Sequence, residues 1–248
     1  MGEPQLTIAG PVATITLQRP QQANRLEPDD LGVIVDHIAR ADATPEVLVL
    51  RLQSTGKYFC SGYDIGRMGT RRTVEFDTMV NALEDARPVT MAVLQGGVYG
   101  GATDLALACD FRIGADGIDM FMPAARLGLH FYERGLQRFV SRLGVDAAKR
   151  LFLTAERLPA AEMKAIGFLT HIVAAEELEA TAGSLSTTLS AMAPLAMLGM
   201  KRHLNRIARG TLDRAELQRD IALAAASEDL REGRAAWAEK RPPRFTGQ

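Results

Sequence analysis

The residues that could do chemistry cluster in LQGGVYGGATDLALACDFRI, residues 94–113. There Gly96, Gly97, Gly100 and Gly101 fall within six positions, and Asp104 follows at the head of an apolar run. Glycine lets backbone come close to a ligand and leaves amide N–H groups uncovered. A strand that ends in GGVYGGA and runs into a helix leaves the first N–H groups of that helix without partners. With the helix dipole, those donors suit a carbonyl oxygen that becomes negative during a reaction. No Lys-Ser or Lys-Thr follows the glycines, so the stretch is not a P-loop, and its spacing is not the G-x-G-x-x-G of a dinucleotide fold. The same glycines would also serve a tight turn with close helix packing, and spacing alone does not separate the two. A second loop, KYFCSGYDIGRM (57–68), likewise follows a buried strand, and its Gly62 precedes an expected helix start at Asp64.

The elements that must position these loops read as alternating strands and helices. QLTIAGPVATITLQ (5–18) predicts two short strands about a Gly-Pro turn. EPDDLGVIVDHIARAD begins with acid near Pro28 and then repeats Leu31, Ile34, Val35 and Ile38 at helical spacing. VLVLRLQS (47–54) and VTMAVLQG (89–96) are continuous apolar runs of the kind that form strands buried on both faces. A helix is expected over roughly 72–86, closed by Pro88, and a short buried one at ATDLALACD, followed by a strand and turn at FRIGADG. From about residue 145 the pattern turns helical. Strands alternating with helices indicate an α/β class. We expect a core over residues 1–190 and a helical C-terminal subdomain over 191–248.

Composition excludes several function classes. The 248 residues suit one large domain, or one with a helical appendage. They are 47% hydrophobic and 24% charged, and 29 Lys and Arg nearly balance 30 Asp and Glu, so no global field argues for nucleic acid or a membrane surface. Cys60 and Cys109 lack metal-ligand spacing and the four histidines add none, so no metal is expected. Two cysteines in so large a chain fit a reducing compartment. The N-terminus shows no charged n-region ahead of an apolar h-region, and no apolar run is long enough for a membrane span, so we expect a cytoplasmic protein.

Taken together, the motifs resemble the enoyl-CoA hydratase/isomerase (crotonase) superfamily over nearly the whole chain. LQRPQQANRL resembles the family's "NRP…NAL" element, FCSGYDI its "FCAGADL" loop, and GGVYGGATDLALACDFRI its "NGxAxGGGxELALxCDxRI" element. LFLTAERLPAAEMKAIGFLTHIV and REGRAAWAEKRPPRFTG match two further family segments in the same order. The resemblance implies a crotonase fold, a spiral of ββα units with a helical C-terminal oligomerisation region, assembled as homotrimers or homohexamers. The apolar Leu195, Leu198, Leu204, Leu212 and Leu217 would then be partly buried between subunits. It also implies an acyl-CoA substrate, with coenzyme A entering as part of that substrate and no other cofactor. The thioester oxygen would be held by the backbone N–H groups of Tyr63 and Gly101.

Family hydratases use two glutamates to hold and activate water. Here the first position is Asp104, one methylene shorter, and the second is Ala124 in FMPAARLGL. Alanine cannot transfer protons, so two-glutamate hydration and one-base isomerisation both lack that group. The loop RLGLHFYERG (126–135) replaces the family's glycine-rich segment beside the acyl pocket and brings His130, Phe131, Tyr132 and Glu133 there. Histidine is the side-chain type that exchanges protons near neutral pH, so His130 is the natural acid or base. Tyr132 falls where family dehalogenases carry a nucleophilic aspartate, and one position from the tyrosine of a decarboxylase that also lacks the second glutamate. His130 and Tyr132 would serve equally as wall residues, and Asp104 as a buried structural carboxylate. Beside a desolvated thioester, Asp104 is expected to have a raised pKa. For coenzyme A the resemblance points to Lys57, Arg25, Ser61, Asp64 and Ile65, with Lys201 and Lys240 as further charge. The leading expectation is an enoyl-CoA hydratase-like lyase. Beside it stand a decarboxylase or hydrolase using the His130/Tyr132 loop, and a non-catalytic acyl-CoA binder.

Overall fold

Gly10 and Pro11 turn the chain between β1 (Gln5–Ala9) and β2 (Val12–Leu17), which pair antiparallel with Ala9 opposite Val12. The computed structural model describes residues 2–64, 66 and 74–248. From β2 onward the sheet is parallel: β3 (Val49–Ser54), β4 (Val89–Leu94), β6 (Phe111–Ala115) and β9 (His171–Val173) follow, in the order β1-β2-β3-β4-β6-β9. Alternate residues of the inner strands face two different layers, which is why their sequences are apolar throughout. Leu50, Leu52, Ala92 and Leu94 enter the main core, while Val49, Met91, Val93 and Ile113 pack with Leu178 and Ala182 of α7 (Leu178–Ser190).

The main core lies between the sheet and α1 (Pro28–Asp42), α2 (Phe76–Asp85) and α3 (Gly101–Ala108). Pro28 sits at the first turn of α1, and Glu27 and Asp30 close a reciprocal capping box there. α3 is short and buried along Ala102–Ala108, as its sequence implied. Three small strands, β5 (Val98–Tyr99), β7 (Asp119–Phe121) and β8 (Leu158–Pro159), form a second sheet that holds the start of α3. Their two or three residues are too few to leave a periodic signal. Helix also begins earlier than residue 145: α4 spans Glu133–Leu143, and α5 (Val145–Thr154) and α6 (Ala160–Ala165) follow.

The parallel order puts the carboxyl ends of β3 and β4 side by side, and from these ends rise the two glycine loops, at the place where open α/β sheets present ligands. Asn24 fixes the first loop. Fully buried, it donates to the carbonyls of Thr55 (2.7 Å) and Tyr58 (2.8 Å) and accepts from the Arg19 amide (2.8 Å). Two isolated parallel bridges, Leu26 to Tyr63 and Cys60 to Val98, join the loops to their neighbours. The contact is close enough to demand glycine. A Cβ on Gly96 would lie 1.9 Å from the Lys57 carbonyl oxygen, and Gly62 has φ +100° with the Tyr99 carbonyl 2.9 Å from where its Cβ would be. The Asp64 amide donates to the Leu26 carbonyl and its Oδ1 accepts from the Gly66 amide (3.1 Å); the rest of the helix expected from Asp64 lies outside the described residues.

The C-terminal region consists of α8 (Pro194–Ala208), α9 (Arg214–Ala226) and α10 (Glu228–Glu239). Lys201, expected as charge for coenzyme A, is instead buried, and its ammonium donates to the carbonyls of Ala86 (2.7 Å) and Pro88 and pairs with Asp110 (3.0 Å). The physical reason is that α2 ends at Asp85, and carbonyls beyond a helix end need donors. Leu195 and Leu198 line a cleft between α8 and α2, whereas Met200, Leu204 and Ile207 form an exposed apolar stripe along α8. No helix of the described residues is long and apolar enough to cross a membrane.

Candidate active site

A cavity of about 340 Å³ lies where the two loops meet. Its floor is Ser61, Gly62 and Tyr63 from one loop and Gly100 and Gly101 from the other. Leu26 donates to the Gly62 carbonyl and accepts from the Asp64 amide, so the intervening Tyr63 amide is turned away from Leu26. Gly101 is the first residue of α3, where amides have no acceptor within the helix. The two loops touch here: a Cβ on Gly62 would come within 3.2 Å of the Gly101 nitrogen. Phe76 packs against Gly101 and roofs the floor, its ring 5.8 Å from that of Tyr63 and 6.5 Å from that of Tyr132.

Ala124 forms part of the wall, nearly buried, with a methyl group where a second carboxylate was sought. His130 and Tyr132 also line the cavity. They differ in what holds them. His130 is exposed and its Nδ1 lies 2.8 Å from the Phe131 carbonyl oxygen. A carbonyl only accepts, so Nδ1 carries a proton. Tyr132 stands at the N-terminus of α4, and its hydroxyl donates to Asp104 Oδ2.

Asp104 is fully buried on the fourth residue of α3 and does not line the cavity. From the sequence it is expected beside the reacting thioester; here it meets the cavity through Tyr132, which lines the cavity and donates to it. Its other oxygen, Oδ1, accepts from Arg138 Nη1 at 2.6 Å. Burial pushes the Asp104 carboxyl above the usual carboxylate range, against the pull of Arg138 and Tyr132. Burial and the adjacent Asp104 charge raise the Tyr132 phenol, which therefore stays protonated and donates.

Arg138 was not anticipated. One hundredth exposed, it also donates through Nε to Glu84 Oε1 at 3.0 Å, and through Nη2 to Glu84 Oε2 (3.2 Å) and Asn81 Oδ1 (2.9 Å). Glu84, at the end of α2, is further met by Arg134 at 2.7 Å and Arg209 at 3.0 Å, with Arg142 at 3.7 Å. Burial alone would raise the Glu84 carboxyl, but Arg138, Arg134 and Arg142 outweigh it and bring it to about 2. A signal for Arg138 did exist: it falls at the i+3 position from Gly135 and beside Phe139 on the buried face of α4, where a charge demands partners.

The residues expected to meet coenzyme A separate. Ser61 lines the cavity. Arg25 and Asp64 pair with each other at 3.2 Å, which offsets the charge that Arg25 would have offered. Lys57 is exposed, with its ammonium 5.4 Å from the centre of the Tyr58 ring. Ile65 lies outside the described residues. Among the described residues, no group of His, Cys, Asp and Glu could hold a metal ion.

Comparison with known proteins agrees with this architecture. The enoyl-CoA hydratase/isomerase family profile matches residues 7–248. The short-chain-enoyl-CoA hydratase of Clostridium acetobutylicum is 30% identical over 94% of this chain and 93% of that protein. Methylmalonyl-CoA decarboxylase of Escherichia coli is 29% identical over 88% of this chain and 87% of that protein. The crystal structure of an enoyl-CoA hydratase from Bacillus anthracis superposes with a TM-score of 0.90 at 27% identity, covering 99% of this chain and all of that one. With a parallel sheet, paired glycine loops and a buried helix leading from the second, the chain belongs to the enoyl-CoA hydratase/isomerase family and has the crotonase fold.

Proposed function

We propose that this protein is an acyl-CoA lyase of the hydratase type in which proton transfer runs through Tyr132 backed by Asp104, in place of two cavity-facing glutamates. The thioester oxygen lies between the amides of Tyr63 and Gly101, where its developing negative charge is stabilised; one such donor is worth about 3–4 kcal/mol in the transition state. When C2 of the acyl group loses a proton, the Tyr132 oxygen takes it as the Tyr132 hydroxyl proton passes to Asp104 Oδ2. The electron pair of the C–H bond stays on the substrate as the enolate. The enolate then expels the C3 hydroxyl, which takes the proton back from Asp104 through Tyr132 and leaves as water; in the hydration direction the same steps run in reverse and C2 is protonated by Tyr132. The observation that carries this reading is the hydrogen bond from the cavity-lining Tyr132 to the buried Asp104. A buried carboxylate whose proton affinity is raised suits the receiving end of such a pair. Lys57, exposed beside the loop, faces the coenzyme's phosphates in this reading.

A second reading is favoured by Ala124. Decarboxylation of a 2-carboxyacyl-CoA makes the same enolate without a base: the bond to the carboxylate carbon breaks, its electron pair stays on C2, and CO2 leaves. Tyr132 then donates a proton to C2 and Asp104, in its protonated form, resupplies it. Incubation with a panel of acyl-CoA thioesters, followed by mass spectrometry, separates the two, since gain of water names the first and loss of CO2 the second. Release of free coenzyme A would replace both with hydrolysis, and absence of turnover across the panel would leave a binding protein.

A further inference from the structure

We propose that Arg138 is a positioning residue that sets which way Asp104 faces and how readily it takes a proton from Tyr132. The role rests on the reading above of Tyr132 and Asp104 as the proton path. Arg138 occupies Oδ1 of Asp104, which leaves Oδ2 for Tyr132, so a carboxylate with two equivalent oxygens becomes directional. The guanidinium is shared between two carboxylates from different helices, Asp104 on α3 and Glu84 on α2. The sharing is unequal in its consequences. Glu84 has Arg134, Arg209 and Arg142 besides, and so remains ionised, whereas Arg138 is the one cation paired with Asp104 among the described residues.

Among the described residues, the groups that face Asp104 are Tyr132 and Arg138 from the α4 segment and Glu84 from α2, with the other arginines standing behind Glu84. Arg138 favours the ionised form of Asp104 and the Glu84 charge disfavours it. The two neighbours therefore pull the proton affinity of Asp104 in opposite directions. Substitutions at the two should move it with opposite sign, and only a role in the proton path carries that movement into the acid limb of kcat/KM.

The first part of the test needs no identified substrate. The chain has four tyrosines, so 3-fluorotyrosine labelling gives few fluorine resonances, and that of Tyr132 is the one lost in Tyr132→Phe. Its shift reports protonation of the hydrogen-bonded Asp104 as pH is varied. Loss of a contacting opposite charge raises a carboxyl pKa by about 1–3 units, so Arg138→Gln should move the titration up by that amount. Glu84→Gln should move it down, because a like charge is removed. A folded Arg138→Gln whose titration coincides with wild type overturns the proposal. If Arg138→Gln does not fold, Glu84→Gln decides, and an unmoved titration there overturns it too. Turnover then separates this role from the reading beneath it. Asp104 must be ionised to accept a proton, so the acid limb of kcat/KM should move upward with the fluorine titration. A fluorine titration that moves as expected while Tyr132→Phe keeps wild-type turnover upholds the role of Arg138 and removes the proton path.

Discussion

Tyr132→Phe is the substitution most informative about this site, because it deletes one oxygen and leaves the ring packed against Phe131, 4.8 Å away, and Phe76. Two consequences follow from where that oxygen sits. In the folded protein, Asp104 Oδ2 loses its donor in a fully buried place, which costs about 1–3 kcal/mol of stability. In the reaction, the group that touches the substrate proton is gone. Positioned general acids and bases contribute about 10²–10⁴ in rate, so kcat should fall at least about a hundredfold, close to 2.7 kcal/mol of barrier. KM should change little, since the phosphates and pantetheine arm are bound elsewhere. The control is His130→Ala: an exposed imidazole whose Nδ1 is engaged by the neighbouring carbonyl should cost less than about tenfold. The assay is steady-state turnover of the acyl-CoA that the panel identifies, with a thermal melt of each variant. A loss below about tenfold in Tyr132→Phe, or a larger loss in His130→Ala, would refute the assignment of the proton to Tyr132.

Asp104→Asn removes the acceptor behind Tyr132 while keeping its shape, and should lower kcat far more than it raises KM in the same assay. Ala124→Glu returns a carboxylate to the cavity wall, and should raise crotonyl-CoA hydration above the weak rate expected of the wild type, measured by loss of the enoyl absorbance. Glu84 should make the protein acid-sensitive. Its folded pKa is lowered from 4.5 to about 2, so its stabilisation is fully present above pH 4.5 and is lost as pH falls through about 2. The stability difference between wild type and Glu84→Gln, followed by denaturant unfolding, should shrink by about 3 kcal/mol over that window.

Much of the scaffold was legible in the sequence because its signals are local. The Gly-Pro turn between β1 and β2, the doubly buried strands β3 and β4, and the glycines ahead of α3 each follow from a few adjacent residues. Ala124 was legible too, as a missing carboxylate. The electrostatic partners were not, because they join helices far apart in the chain. Arg138 reaches Asp104 across 34 residues and Glu84 across 54, and helical periodicity is silent about which acid a buried arginine will meet. Lys201 failed for the same reason: its carbonyl partners at Ala86 and Pro88 lie more than a hundred positions away, so a buried lysine read as surface charge. Asp104 was placed correctly on its helix, but the tyrosine that screens it arrives from the start of α4.

The central claim is that an acyl-CoA enolate forms over the Tyr63 and Gly101 amides with Tyr132 carrying the C2 proton. Deuterium exchange tests it without regard to the overall reaction. A saturated short-chain acyl-CoA is incubated with the protein in heavy water, and incorporation at C2 is followed by mass spectrometry. The account predicts that wild type incorporates deuterium at C2, and that Tyr132→Phe does so at least about a hundredfold more slowly. No incorporation by wild type, or equal rates in the two proteins, would contradict it.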